Sequence, residues 1–135
     1  MSRESLLGGM GFVHIDIEVQ RDVNGPATKV TLLVDTGASI GMIPRPVLEA
    51  LGITPIRRQN VELADGRLVP RDIGGAILRY EGVPSVAEVI FGEEGDAAIL
   101  GVITLEQLGL TVDPRTGRLA RVGLMVIRTK VAVPA

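Results

Sequence analysis

The 135-residue sequence has no cysteine and no tryptophan, one histidine, one tyrosine and two phenylalanines. Without cysteine there is no disulfide, no thiolate metal site and no thiol nucleophile. With His14 as the sole histidine, a histidine-built zinc site is excluded. A Ser-His-Asp triad would have to use that residue, and no nucleophile-elbow motif accompanies it. So few aromatic rings leave almost no surface for stacking bases. An excess of one charge is missing too: 14 basic and 16 acidic residues are interspersed, for a net charge of −2, which gives no electrostatic footprint for nucleic acid or an anionic membrane. No apolar run approaches the ~20 residues that span a bilayer. The opening segment, with an early Glu4 and its apolar stretch broken by Gly8, Gly9 and Gly11, makes a poor signal peptide. These absences lead us to expect a soluble, cytoplasmic protein that uses no metal and no cofactor and binds neither nucleic acid nor membrane.

What is present is aliphatic. A hydrophobic share of 46% supports a real core and argues against disorder, and the length fits a single domain spanning 1–135. Val13, Ile15, Ile17 and Val19 alternate with His14, Asp16, Glu18 and Gln20, the period of a half-buried strand that leaves His14 on a solvated face. Asn24-Gly25-Pro26 is a turn, and the chain returns as a second strand over Thr28–Val34, whose apolar, β-branched Val30–Val34 run reads as a buried central strand, covered on both faces. Pro46 and Gly52 bracket a short helix over Pro46–Leu51, with Val47, Leu48 and Leu51 on one face.

Further strands are expected over Ile56–Leu63 and Leu68–Ile73, joined by the hairpin turn Ala64-Asp65-Gly66-Arg67. Gly74-Gly75 reads as a bulge or bend. Strands over Ala76–Tyr80 and Val86–Phe91 follow, joined across Glu81-Gly82-Val83-Pro84. Glu93-Glu94-Gly95-Asp96 reads as a solvated acidic turn, since its spacing lacks the alternating oxygen ligands of a calcium loop. Asp113-Pro114 opens a tight turn between two strands. The apolar, β-branched tail over Leu124–Val133 is expected to pair as a strand.

The chain is organised around Leu32-Leu33-Val34-Asp35-Thr36-Gly37-Ala38-Ser39. A strand delivers the Asp35 carboxylate into a glycine turn, where it serves as a helix cap, a turn former or a catalyst. A faint internal repeat accompanies it: Leu48-Glu49-Ala50-Leu51-Gly52-Ile53 and Leu105-Glu106-Gln107-Leu108-Gly109-Leu110 each close a short amphipathic helix with glycine. In the first copy the preceding turn carries Asp-Thr-Gly; in the second it carries Ile99-Leu100-Gly101.

Asp35-Thr36-Gly37-Ala38-Ser39, together with Ile99-Leu100-Gly101, resembles the signature of the aspartic proteases in their single-lobe, retroviral-type (retropepsin-like) branch, over roughly Val13 to Val122. The resemblance implies an all-β, single-lobe closed barrel with one or two short helices. It implies an aspartic endopeptidase that hydrolyses peptide bonds with a water held between two carboxylates. The chain has one Asp-Thr-Gly, so the second acid comes from a second copy, and a homodimer acting on an extended peptide or protein substrate follows. Asp35, Thr36 and Gly37 are then the catalytic residues. Ala38, Ile99 and the hairpin tip Ala64, Asp65, Gly66 and Arg67, which falls where that family has its flap, are the substrate-binding ones. The plainer alternatives are a surface hairpin and a catalytically inactive module kept for dimerisation or peptide binding. Two departures stand out: Ala38 replaces the hydroxyl residue of the pepsin branch, and Val102 replaces a bracing arginine.

Overall fold

The computed structural model describes residues 5–7 and 12–123, so the strand expected over Leu124–Val133 lies outside the described residues. Three strands open the chain: β1 (Ser5–Leu7), β2 (Phe12–Gln20) and β3 (Ala27–Asp35). On β2 the alternation is obeyed: Val13, Ile15, Ile17 and Val19 are all buried, because successive side chains leave a strand on opposite sides. β3 runs back antiparallel, with Ile15 opposite Leu32 and Ile17 opposite Val30. It corrects the expectation of a strand buried on both faces. Leu32 and Val34 are buried, Val30 and Leu33 half-buried and Thr31 exposed, since a barrel wall turns only one face inward.

The chain continues through β4 (Gly41–Pro44), helix α1 (Arg45–Ala50), β5 (Arg57–Glu62), β6 (Leu68–Tyr80) and β7 (Val83–Gly92). Then come β8 (Ile99–Gly101), helix α2 (Val102–Gln107) and a separate hairpin of β9 (Leu110–Asp113) and β10 (Arg118–Arg121). Six strands follow one another in the ring β2-β3-β8-β4-β7-β6, and pairing of β6 with β2 closes it. The fold is therefore all-β, a closed barrel with two six-residue helices. Ile15, Ile17, Leu32, Ile43, Leu48, Val89, Phe91 and Leu100 fill it with 0% exposure. At ~1.5–3 kcal/mol for each large side chain removed from water, this aliphatic filling is the main source of stability.

Both helices end alike. The Gly52 and Gly109 amides donate to the carbonyls of Glu49 and Glu106 at 2.9 Å, at φ of +79° and +74°. Glycine enters that left-handed region without the steric cost other residues meet. Helix α1 begins one residue ahead of the expected Pro46 and stops at Ala50, with Val47 and Leu51 half-buried beside Leu48.

Gly74-Gly75 makes no bulge. β6 is continuous, and its register against β7 runs unbroken from Ile73↔Ile90 to Ala76↔Ala87. The glycines instead mark where the other edge of β6 changes partner, from β5 up to Ile73 to β2 from Ile77 onward. A Cβ on Gly74 would lie 2.9 Å from the Phe91 ring and 3.1 Å from the Thr54 carbonyl. The turn into β7 is shorter than expected: Glu81 and Gly82 alone form it, at φ of +48° and +82°, the signs a type I′ hairpin needs.

Candidate active site

Asp35 is the last residue of β3 and is half-buried, while Thr36 and Gly37 in the turn beyond it are exposed. The Gly37 amide donates to Asp35 Oδ1 at 2.9 Å, and the Ala38 amide donates to the Asp35 carbonyl at 3.1 Å. A tight turn thus presents one carboxylate with a backbone donor already on it. Any side chain at 37 would begin 3.3 Å from that oxygen.

The loop is held from behind by the second copy of the repeat. The Val102 and Ile103 amides donate to the carbonyls of Ala38 and Ser39 at 2.8 and 3.1 Å. The two segments cross so closely that each needs a glycine. A Cβ on Gly41 would lie 2.6 Å from the Ile99 carbonyl, and one on Gly101 would lie 2.6 Å from Ile40 and Ser39 backbone. In the parallel β3–β8 ladder Asp35 stands opposite Gly101.

Ile99 opens β8 beside this crossing. With Ile40 it packs on a second, smaller apolar cluster of Met42, Ile73 and Ile90, which Val61 and Leu63 of the β5–β6 hairpin also join. One apolar floor therefore runs from the acid loop to the hairpin. Residues 64–67 sit at the hairpin tip, exposed, with Gly66 at φ +85°. Asp65 accepts from the Arg67 amide at 3.0 Å and from its Nε at 2.7 Å. The amide first, and then the guanidinium, hold the Asp65 carboxyl below the usual range. Among the described residues no hydrogen bond joins this tip to the Asp35 turn. The shared floor, through Val61 and Leu63, is what brings hairpin and acid loop together.

The sequence reading missed the charged cluster at the hairpin root. Arg45 contacts Asp72 at 2.6 Å and both oxygens of Glu93, the nearest at 2.8 Å, and its guanidinium lies 4.9 Å from the Phe91 ring centre. Arg71 forks onto Asp96 at 2.8 and 2.9 Å. This corrects in part the reading of Glu93–Asp96 as a solvated turn: the turn forms with Glu94 and Gly95 exposed, but the Asp96 side chain is only 9% exposed. Arg45 first and Arg58 second hold Asp72 below the ordinary carboxylate range, and Arg71 does the same for Asp96. No local motif announces the cluster, because its members come from α1, β6 and the 93–96 loop. His14 also departs from expectation. It is half-buried, and its Nδ1 is enclosed without a hydrogen-bond partner. Asp113 is a turn acid, accepting from the Arg115 amide at 2.9 Å. No group of three or more potential metal ligands occurs among the described residues, and no helix there is long and apolar enough to cross a membrane.

An acid-bearing loop crossed by a glycine-ended segment, inside a closed barrel of this size, defines a retropepsin-like architecture. The sequence profile described as "Aspartyl protease" matches residues 19–102, more than half of the chain. The chain belongs to the aspartyl protease family. Among solved structures it is similar to the protease of simian foamy virus (mac), determined in solution, at 22% identity and a TM-score of 0.48, covering 69% of this chain and 93% of that one. No curated protein matches it.

Proposed function

We propose that the chain is an aspartic endopeptidase whose site is completed by a second copy of itself. The observation that carries the reading is the Asp35 turn, a half-buried carboxylate with the Gly37 amide on Oδ1 at 2.9 Å, with Gly101 rather than a second acid opposite it in the ladder. Two such turns meeting on a two-fold axis give a carboxylate pair that shares one proton, since like charges about 3 Å apart do not both ionise.

In that pair the ionised Asp35 takes a proton from the water as the water oxygen bonds to the scissile carbonyl carbon. The partner's Asp35, protonated, donates to the carbonyl oxygen. Collapse of the tetrahedral intermediate breaks the C–N bond as the first Asp35 passes its newly gained proton to the nitrogen and the partner's Asp35 takes one back from a hydroxyl of the intermediate, leaving a carboxylic acid and an amine. The two roles are interchangeable by the two-fold symmetry. Thr36 bonds across the axis and ties the loops together. Ala38, Ile99 and the tip Ala64, Asp65, Gly66 and Arg67 contact an extended peptide, whose backbone pairs with the protein while apolar pockets take its side chains.

The test is cleavage of an unbiased peptide library between acid and neutral pH by wild type and Asp35→Asn, with particle mass measured alongside. The expected result is pepstatin-sensitive cleavage by a dimer, lowered at least about a thousandfold in the variant, the scale on which removing a reacting group acts. Absence of Asp35-dependent cleavage at every pH would assign the chain to a non-catalytic dimerisation or peptide-binding role.

A further inference from the structure

The ribbon of β5 and β6 leaves the barrel at a definable residue. β6 pairs with β7 only from Ile73 onward, whereas its pairing with β5 extends outward from Ile73 to Leu68. Beyond Ile73 the ribbon pairs only with itself, over ~17 Å at the usual rise per residue. A free two-stranded ribbon is marginal in water; Val61 and Leu63 rest this one on the Met42, Ile73 and Ile90 cluster, a non-directional contact that leaves its angle to the barrel to be set by directional contacts at the root.

The first two residues past the barrel ladder are Asp72 and Arg71, and both are clamped. Asp72 Oδ2 receives Arg45 Nη2 at 2.6 Å, and its Oδ1 receives Arg58 Nη1 from the facing strand at 3.0 Å. Arg71 forks onto Asp96, and Asp96 also accepts from the Glu93 amide at 2.7 Å. Successive residues leave a strand on opposite sides, so the clamps grip both faces of the root.

Arg45 joins these parts. It is the first residue of α1, directly after the β4 strand that carries the chain away from the acid turn. It holds Asp72 on the ribbon and Glu93 on the loop after β7, with Glu49 at 3.5 Å on its own helix. Its side chain is 24% exposed and that of Asp72 20%, and charge-assisted pairs so sheltered are stronger than open surface pairs. We propose that Arg45 is the positioning residue of the ribbon, fixing the angle at which the hairpin stands over the Asp35 turn. The proposal rests on the reading of that ribbon as the cover of a peptide site.

Amide hydrogen exchange on the full chain tests it without requiring activity. Arg45→Ala is expected to speed exchange in the ribbon, over residues 57–72, by about tenfold or more through local opening, while β2 and β3 change by less than about twofold. Arg45→Lys is expected to fall between, because an ammonium cannot hold two carboxylates in a planar fork. Unchanged ribbon exchange, or acceleration of ribbon and barrel in step, would overturn the proposal. Where cleavage is measurable, Arg45→Ala is expected to raise KM about tenfold with kcat within about threefold, as lost substrate positioning does; a fall in kcat at constant KM counts against it. An inactive wild type would remove the protease reading yet leave the exchange result to decide the role of Arg45.

Discussion

The barrel wall and the ribbon that leaves it are made by different physics from neighbouring stretches of chain. In the wall, β2 buries four aliphatic side chains in a row of alternate positions, and the ladder closes on itself. In the ribbon, β5 is exposed at every residue except Val61. It is held by backbone pairing, by arginine–carboxylate clamps at its root and by Val61 and Leu63 packed on the small apolar floor. The wall draws on a non-directional force proportional to area; the ribbon draws on directional contacts that respond to pH and salt. On the proposed reading the ribbon is a cover that opens and closes for substrate, which is better served by the second, because such contacts can break singly without unfolding the domain.

The largest effect that could break this contrast lies at the crossing. Gly101→Ala places a Cβ 2.6 Å from the Ser39 and Ile40 backbone, and is expected to cost about 3 kcal/mol or more, read from urea denaturation. A cost under about 1 kcal/mol would mean that the crossing has room to give. Next is Ile17→Ala in the wall, where exposure is 0%, expected at about 2–5 kcal/mol. The matching ribbon change, Val61→Ala, is expected at about 1 kcal/mol or less, since Val61 is only half-buried. Equal costs would erase the distinction between the regions.

Acid sharpens it further. Asp72 faces Arg45 and Arg58, and Asp96 faces Arg71, with Arg67 and Glu93 beside it. Both carboxyls titrate below their unfolded value of about 3.9. Their contribution is therefore fully present above that pH and is lost as pH falls through the lowered folded values. Ribbon exchange, corrected for the intrinsic pH dependence, is expected to stay constant from pH 7 to about 4.5 and to rise below about 4, ahead of the barrel. Loosening already at pH 6 would show that other groups hold the root. The smallest effect is expected at the ribbon surface. Leu68→Ser, at a residue 65% exposed, should change stability by no more than about 0.5 kcal/mol.

Much of the wall was legible in the sequence because its rule is local. The alternation at Val13–Val19 and the glycine stops at 52 and 109 each need only a few consecutive residues. The Asp35 turn was legible for the same reason, as a strand end running into glycine. Where a feature depends on the partner across space, the reading failed. Gly74 looked like a bulge because the Phe91 ring it accommodates lies on another strand. Glu93 and Asp96 looked as solvated as Glu94 between them because Arg45 and Arg71, which pair with them, are distant in the chain. β3 looked doubly buried because composition cannot tell a barrel wall from the middle of a layered sheet.

Gly101 carries a consequence for ancestry. It faces Asp35 across the ladder, yet it is wedged so tightly against the Ser39–Ile40 backbone that no side chain fits. Point mutation therefore cannot place an acid at that position without prising the crossing apart. On the proposed reading, a descendant able to work unaccompanied would arise by duplicating and fusing the whole gene, each half bringing its own intact turn.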